Sequence, residues 1–198
     1  MIKPSNLTKN KTKMNKDIVS ADDDKQWYAA IVGTNQEKTC RDRLIKMGYK
    51  AWIASQQEKH VWRNGRHSQV ERVVIPLVVF VYATEEERRQ IVNYPFIKCF
   101  LTDKARTKNK FGIHPVATIS DCEMEKLRFM LYQSEKPITF ISRSLHTGDT
   151  IRVVRGNLQG FEGHVIRYHD GNNYVVANIG ILGCAMVRIA LSDVEPLK

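Results

Sequence analysis

The chain has 198 residues, of which 42% are hydrophobic and 26% are charged. These values are ordinary for a soluble globular protein and too apolar for a disordered one, and the length allows one medium domain or two small ones. A formal net charge of +10 at pH 7 favours a polyanionic partner. No apolar run is long enough to cross a membrane, and the basic N-terminus lacks the apolar core of a secretory signal. We therefore expect a cytoplasmic protein with no membrane partner.

The basic surplus is not spread evenly along the chain. Residues 27–137 carry 19 Lys and Arg against 12 Asp and Glu, whereas residues 144–198 carry five of each. This asymmetry predicts two modules, a basic one near nucleic acid and a neutral one that docks elsewhere, although a solubilising surface would give the same counts. The four cysteines have no zinc-motif spacing, so thiols and no metal site are expected.

The first elements follow a strand–helix–strand pattern. The tail up to residue 25 holds almost nothing apolar to bury and is predicted to be disordered. Residues 27–33, WYAAIVG, are typical of a buried strand, Asn35 can cap a helix after it, and residues 49–54 return to strand character. The inward helix face is predicted to consist of Cys40, Leu44 and Met47.

A projecting hairpin is predicted next. Asn64 and Gly65 tolerate the positive φ angles of a two-residue type I′ turn, and the arms on either side are basic. Residues 73–82, VVIPLVVFVY, form the most apolar run in the chain. They are interrupted only by Pro76, which marks a strand start, an edge or a bulge.

Two capping boxes predict further helices. Thr84 with Glu87, and Ser120 with Glu123, have the spacing at which two side chains satisfy backbone donors at a helix start. The order strand–helix–strand, hairpin, strand–helix–strand–helix predicts an α+β domain over residues 26–133. We expect a mixed sheet with flanking helices, related to the ferredoxin-like fold.

Two basic segments are candidates for contacting nucleic acid. The loop 102–115 holds a cluster of cations, and the hairpin tip carries arginine on both sides of its turn. Clustered cations favour phosphate binding through counterion release, although a solvated surface loop is the alternative. Trp62 beside the turn could stack on a base or simply cover the sheet. The candidate nucleic-acid residues are Arg63, Arg66, Lys104, Arg106, Lys108 and Lys110.

A second domain is predicted after a linker. Residues 134–146 form the linker, which is not purely polar, and residues 147–198 contain five short strand patterns separated by glycine turns. Five short strands in about fifty residues predict a small β-barrel.

The glycine-punctuated strands resemble a known motif. Residues 148–163, GDTIRVVRGNLQGFEG, resemble the KOW motif, in which strands and a glycine turn build an SH3-like barrel. The opening Trp27-Tyr28 and the apolar run 76–81 resemble the N-terminal (NGN) domain of the NusG family, and the resemblance covers about residues 26–198. It implies a transcription elongation factor without a cofactor. Its NGN domain binds the clamp of RNA polymerase beside non-template DNA or nascent RNA, and its KOW domain recruits a partner such as the ribosomal protein NusE.

In the family the clamp contact is an apolar patch on the sheet. Strand alternation places Pro76, Val78 and Phe80 on one face, and Phe100 on the next strand could join them; core positions are the competing interpretation. The family pattern Phe-Pro-Gly-Tyr maps onto residues 75–78, IPLV, so its glycine and tyrosine are missing here.

The KOW turn also departs from housekeeping members. Their Ile-Phe-Gly-Arg pattern is linked to Rho binding, whereas residues 181–184 of this chain are ILGC. Partner binding is expected at Ile181 and Leu182, and Rho binding is not expected. Together with the long tail and basic loop, this turn most resembles the NusG-like antiterminators of capsular polysaccharide operons (UpxY-like).

No motif of an enzyme active site is evident, so no catalytic residue and no enzymatic activity are expected. The alternative to a polymerase-binding factor is a ribosome- or RNA-binding KOW protein, whose basic surface would contact folded RNA. The neutral KOW domain argues against that alternative, because such a domain would be expected to carry the positive charge.

Overall fold

The computed structural model describes residues 24–63, 65–142 and 148–197, so the predicted disordered tail lies almost wholly outside the described residues. The N-terminal part consists of one sheet, one separate hairpin and three helices. Its elements are β1 (Gln26–Val32), α1 (Glu37–Lys46), β2 (Lys50–Trp52), β3 (Ser55–Val61), β4 (His67–Val73), β5 (Val78–Ala83), α2 (Glu85–Ile91), β6 (Ile97–Phe100), β7 (Thr118–Ile119) and α3 (Asp121–Gln133).

The main sheet has the order β2-β5-β1-β6, with β7 also pairing with β1, and β3 pairs with β4 as a separate ribbon. The α+β class predicted from the sequence is confirmed. Every strand pair of the main sheet is antiparallel where a mixed sheet was expected. The physical reason is that β5 lies between β1 and β2. These two strands run parallel to each other through α1 but never pair.

Both predicted capping boxes are confirmed. The Thr84 hydroxyl accepts a hydrogen bond from the Glu87 amide at 3.2 Å while the Glu87 carboxylate accepts one from the Thr84 amide at 2.8 Å, and Ser120 with Glu123 repeats the arrangement. Each box satisfies donors that a helix start would otherwise leave unpaired.

The predicted start of α1 is wrong. Its N-cap is Gln36, and Asn35 instead adopts a left-handed conformation with φ of +57°. Met47 follows the end of the helix and is 49% exposed, whereas Cys40 is buried as predicted. Glu37 is buried in the first turn, and its carboxylate accepts a hydrogen bond from the Leu77 amide.

The apolar run 73–82 is not one strand. β4 ends at Val73 and β5 begins at Val78, and a turn lies between them. Leu77 in this turn follows Pro76 and has φ of +65°, a left-handed conformation that is uncommon for residues other than glycine. Glu37 fixes the turn, because its carboxylate accepts a hydrogen bond from the Leu77 amide at 2.7 Å.

The C-terminal part is a six-stranded antiparallel sheet with the order β13-β9-β10-β11-β12-β8. Five of its strands coincide with the five short patterns in the sequence, and the sixth comes from the segment interpreted as a linker. The strands are β8 (Thr139–Ile141), β9 (Asp149–Val153), β10 (Glu162–Arg167), β11 (Asn173–Ile179), β12 (Gly183–Arg188) and β13 (Val194–Pro196).

The first glycine of the KOW-like segment is required by the packing of these strands. Gly148 has φ of +132°, and a Cβ added there would lie 2.0 Å from the backbone oxygen of Val165. Both the backbone conformation and the close approach of β10 therefore exclude a side chain at this position.

One buried cluster joins the two parts of the chain. It contains the β5 face, the inner face of α3 and the interior of the C-terminal sheet. A second cluster lies on the other side of the main sheet, between that sheet and α1 and α2. Helix α3 is therefore packed between the N-terminal sheet and the C-terminal strands. Its fully buried residues are Met124, Leu127 and Met130.

Candidate interaction surfaces

The two parts of the chain meet along α3 through specific contacts. The ring of Phe129 stacks on that of Phe161 with 6.2 Å between centroids. The Gly180 amide in the β11–β12 turn donates a hydrogen bond of 2.7 Å to Oε1 of Glu123. Glu123 thus caps α3 with one carboxylate oxygen and holds the C-terminal sheet with the other. The C-terminal part is docked on the N-terminal one.

A buried glutamine ties the connecting segment to the hairpin. Gln56 is 5% exposed, and its Nε2 donates to the carbonyls of Ser134 and Lys136, both at 3.0 Å. Its Oε1 accepts from the Ile138 amide at 3.0 Å, and Nη2 of Arg72 donates to the Ile138 carbonyl at 3.1 Å. With β8 paired to β12 beyond it, the connecting segment bridges the hairpin and the C-terminal sheet.

The apolar patch expected on the sheet is largely interior. Val78 is 4% exposed and Phe80 is fully buried within the cluster that joins the two parts of the chain. Pro76 is exposed, but it lies in the turn before β5 and does not share the strand alternation of the other two. The core interpretation therefore holds for Val78 and Phe80 in this arrangement.

Phe100 does not join that face. Ala29 pairs with Phe80, whereas Ala30 pairs with both Val79 and Phe100. Paired residues point to the same side of a sheet and successive residues to opposite sides. Phe100 therefore lies on the α1 side, in the second cluster, and the expectation that it extends the patch is wrong.

The part of the Phe80 face that reaches the surface is aromatic. Trp52 pairs with Phe80 across β2 and β5, and its indole N–H donates to the Tyr132 hydroxyl at 3.1 Å. Tyr132 is 67% exposed. The Arg128 guanidinium lies over both Trp27 and Trp52, at 4.6 and 5.1 Å from the ring centroids. This surface could not be predicted from the sequence, because only long-range contacts bring Trp52 of β2 beside Tyr132 and Arg128 of α3.

The hairpin tip is basic and exposed, but its turn differs from the expected one. The Gly65 amide donates to the Trp62 carbonyl at 2.8 Å, so the turn starts one residue earlier than a type I′ turn centred on Asn64 and Gly65. Asn64 itself lies outside the described residues. Arg63 and Arg66 are exposed, and the Trp62 indole donates to the Ser68 hydroxyl at 2.8 Å.

A hydrogen bond and an ion pair at Glu71 fix the base of the hairpin. Glu71 accepts a hydrogen bond from the Ser55 hydroxyl at 2.6 Å and lies 3.1 Å from the Lys38 ammonium group of α1. The hydrogen bond from Ser55 is the largest single cause that lowers the pKa of Glu71, and the cations Lys38 and Arg41 lower it further. The hairpin is thereby held against α1.

The second basic segment is an ordered loop between β6 and β7. Thr102 bridges to Val116, and the Asp103 amide donates to the Pro115 carbonyl at 2.8 Å. Asp103 also holds the Arg106 guanidinium at 3.2 Å. The four predicted cations of this loop are all exposed: Lys104, Arg106, Lys108 and Lys110.

The docking leaves the two predicted partner-binding residues, Ile181 and Leu182 of the β11–β12 turn, in different surroundings. Ile181 is 44% exposed at the tip of the β11–β12 turn. Leu182 packs against the cluster that joins the two parts of the chain. Leu182 is half-buried and the Gly180 amide is held by Glu123 of α3, so Ile181 is the most exposed residue of this turn.

Within residues 24–63, 65–142 and 148–197, no group of three His, Cys, Asp or Glu side chains could hold a metal ion. No helix in the described part of the chain is long and apolar enough to cross a membrane.

Comparison with known proteins identifies one family and several similar solved structures. The family model described as transcription termination factor nusG matches residues 25–128. A solved structure of NusG from Thermotoga maritima, described for its domain interaction, has a TM-score of 0.45 and 17% identity, and covers 89% of this chain and 99% of that chain. Conformations A and B of an MjSpt4:Spt5 complex each have a TM-score of 0.28 and 14% identity over 87% of this chain, and 98% and 97% of those chains. No curated protein matches the sequence.

Proposed function

The chain belongs to the NusG family of transcription factors, and from that membership we propose that it binds RNA polymerase and suppresses pausing and termination. The observation that carries the proposal is the family match over residues 25–128, which spans the whole N-terminal sheet and most of α3. The activity requires binding alone, without a catalytic group, a metal or a cofactor, and we assign it to the cytoplasm.

We place the polymerase contact on the aromatic surface at Trp52 and Tyr132. Val78 and Phe80 are buried, so they cannot make the first contact in the docked arrangement. Trp52 and Tyr132 continue the same face to the surface, and Arg128 stacks on Trp52 beside them. Aromatic side chains and arginine are the residue types that contribute most to binding free energy in protein interfaces.

The two basic segments, the hairpin tip and the loop between β6 and β7, would contact nucleic acid at the polymerase. The hairpin tip belongs to the separate β3–β4 ribbon, and the second basic segment connects β6 to β7 of the main sheet. Non-template DNA and nascent RNA are the polyanions exposed in a transcribing complex, and cations that neutralise phosphates release counterions on binding. The cations proposed for this role are Arg63, Arg66, Lys104, Arg106, Lys108 and Lys110.

The mechanism is a shift of a conformational equilibrium. A bound factor favours the elongating state over the paused state only by its difference in affinity for the two. A difference of about 1–3 kcal/mol, the usual size of allosteric coupling, would change pausing about 5- to 150-fold. No covalent bond to the protein needs to form or break.

We further propose that the factor serves a small set of operons, such as those for polysaccharide biosynthesis. Leu182 in the β11–β12 turn and Cys184 at the start of β12 stand where the Rho-linked pattern has an aromatic residue and an arginine. Ile181 remains available to a KOW partner such as NusE. The loop between β6 and β7 supplies a basic surface for binding a DNA or RNA element that recruits the factor to its operon.

The proposal is tested by measuring polymerase binding and pause lifetimes with purified polymerase from the same cell. The wild-type chain should bind polymerase and shorten pauses. Tyr132→Ala should weaken binding about fivefold or more, as expected for an aromatic contact residue. Gln133→Ala, at the adjacent exposed position, should leave binding unchanged. Absence of polymerase binding together with sedimentation on ribosomes would favour the RNA-binding alternative.

A further inference from the structure

The tip of the loop between β6 and β7 displays an apolar ring to solvent. Phe111 is 72% exposed, the largest exposed fraction among the large hydrophobic side chains of the described residues, and Ile113 nearby is 59% exposed. Elsewhere in the N-terminal part, phenylalanines such as Phe80 and Phe100 are buried. One or two exposed apolar side chains are normal on a protein surface, so the role of Phe111 depends on the backbone that holds it and on the charges around it.

The backbone that carries Phe111 is fixed. Oδ1 of Asn109 accepts hydrogen bonds from the amides of Phe111 and Ile113 at 2.9 and 3.0 Å. The Asn109 amide donates to the Ile113 carbonyl and the Gly112 amide to the Asn109 carbonyl, both at 2.9 Å. Gly112 supplies the φ of +74° that closes the tip. The ring is therefore presented by an ordered turn, which reduces the entropy lost when it binds a partner.

The surroundings of the ring are cationic. Residues 104–115 contain four Lys and Arg and no Asp or Glu. The Lys110 ammonium group lies 5.1 Å from the centroid of the Phe111 ring. Arg106 is turned to Asp103 at the base of the loop, so Lys108 and Lys110 are the cations nearest the tip in sequence. A ring beside an ammonium group matches a nucleotide, in which a base and a phosphate are joined through one sugar.

We propose that this tip is a binding site for single-stranded nucleic acid, in which Phe111 stacks on a base and Lys108 and Lys110 neutralise the adjacent phosphates. The base must be unpaired, because a duplex does not offer the face of a base to a side chain. The site deepens the nucleic-acid contact of the proposed function and rests on that function for its place in the transcribing complex. A membrane surface is a poorer match, since Phe111 and Ile113 alone offer little apolar area to insert.

The test measures binding of the full chain to a fluorescent single-stranded RNA of about 12 nucleotides, a length within the usual site size, and to the corresponding duplex. Phe111→Ala should weaken single-strand binding about 5- to 150-fold, the loss expected for one stacked base, with an unchanged salt dependence. Phe111→Trp should restore binding because it restores the aromatic face. Ile113→Ala, the matched control at the same tip, should bind like the wild-type chain.

Charge variants separate the two parts of the site. Changing Lys108 and Lys110 to Ala should reduce the slope of log affinity against log salt by about 1.4, twice the value per phosphate on a single strand. Equal binding by Phe111→Ala and wild type, or equal binding of duplex and single strand, would overturn the proposal. So would preferential binding to vesicles that contain phosphatidylserine.

The same proteins are also assayed for polymerase binding without nucleic acid, where Phe111→Ala should match the wild type. RNA binding that survives while polymerase binding is absent would reject the proposed function and leave this site standing. Polymerase binding with no effect of Phe111→Ala on RNA would reject this site alone.

Discussion

Helix α3 and the loop before β7 are close neighbours in the sequence, but the helix buries its apolar residues and the loop exposes them. Leu127 and Met130 of α3 are fully buried between the N-terminal sheet and the C-terminal strands, whereas Phe111 and Ile113 of the loop stand in solvent. The loop backbone is nevertheless ordered by its own hydrogen bonds. The difference indicates that apolar surface on α3 stabilises the docked arrangement, while apolar surface on the loop is available to bind a partner.

The free energy of unfolding should be far more sensitive to truncation of the buried face of α3 than to truncation of the loop tip. Leu127→Ala removes a fully buried side chain and should lower the free energy of unfolding by about 2–5 kcal/mol. Phe111→Ala should change it by less than about 0.5 kcal/mol, because the ring is exposed. Urea denaturation of both variants checks the prediction, and similar losses from the two would show that the loop is part of the core.

The next effect concerns the connecting segment. Gln56→Ala leaves the Ile138 amide and two carbonyl groups without their partner and should cost about 1–3 kcal/mol. Gln57→Ala, at the next and exposed position, should be nearly neutral. Urea denaturation again gives both values. Equal stability of the two variants would mean that the buried hydrogen bonds contribute nothing.

A smaller effect is expected from the ring contact between the two parts of the chain. Phe129→Ala removes the stack on Phe161 and should weaken docking by about 0.5–1.5 kcal/mol without unfolding either part. Chemical shifts of the β11–β12 turn near Gly180 report the docking by NMR. Glu125→Ala, exposed on the same helix, is the control, and unchanged shifts in Phe129→Ala would contradict the assigned interface.

The smallest expected effect depends on pH. Hydrogen bonding from Ser55, together with Lys38, lowers the pKa of Glu71 below its ordinary value of 4.5. A lowered carboxyl pKa contributes stability that is present above the unfolded pKa and is lost as pH falls through the folded one. The stability difference between wild type and Glu71→Gln should therefore shrink between pH 6 and pH 3. A difference independent of pH would exclude the ionised contact as its cause.

Local signals in the sequence predicted what depends on neighbouring residues. The Thr84 and Ser120 capping boxes were identified because each is set by a spacing of three residues and needs no distant partner. The five C-terminal strands were predicted for a similar reason, since glycines mark their turns. The predicted start of α1 is wrong, because Asn35 adopts a left-handed turn conformation and Gln36 is the N-cap.

Features set by distant contacts could not be predicted. The position of Phe100 depends on a register in which Ala30 pairs with both neighbouring strands, and no spacing in the sequence encodes it. The turn at Leu77 depends on Glu37, which lies 40 residues away. The candidate cations were found from charge alone, whereas Phe111 was missed because its exposure follows from a tip closed by Asn109.

The proposed role on RNA polymerase can be tested by purifying the tagged chain from its own cell, identifying the proteins that accompany it, and sequencing the RNA bound to them. We expect RNA polymerase to copurify and the RNA to come from a few long operons. Polymerase with RNA from all transcripts would keep the elongation role and reject operon specificity. Ribosomes without polymerase would show that the chain does not act on RNA polymerase.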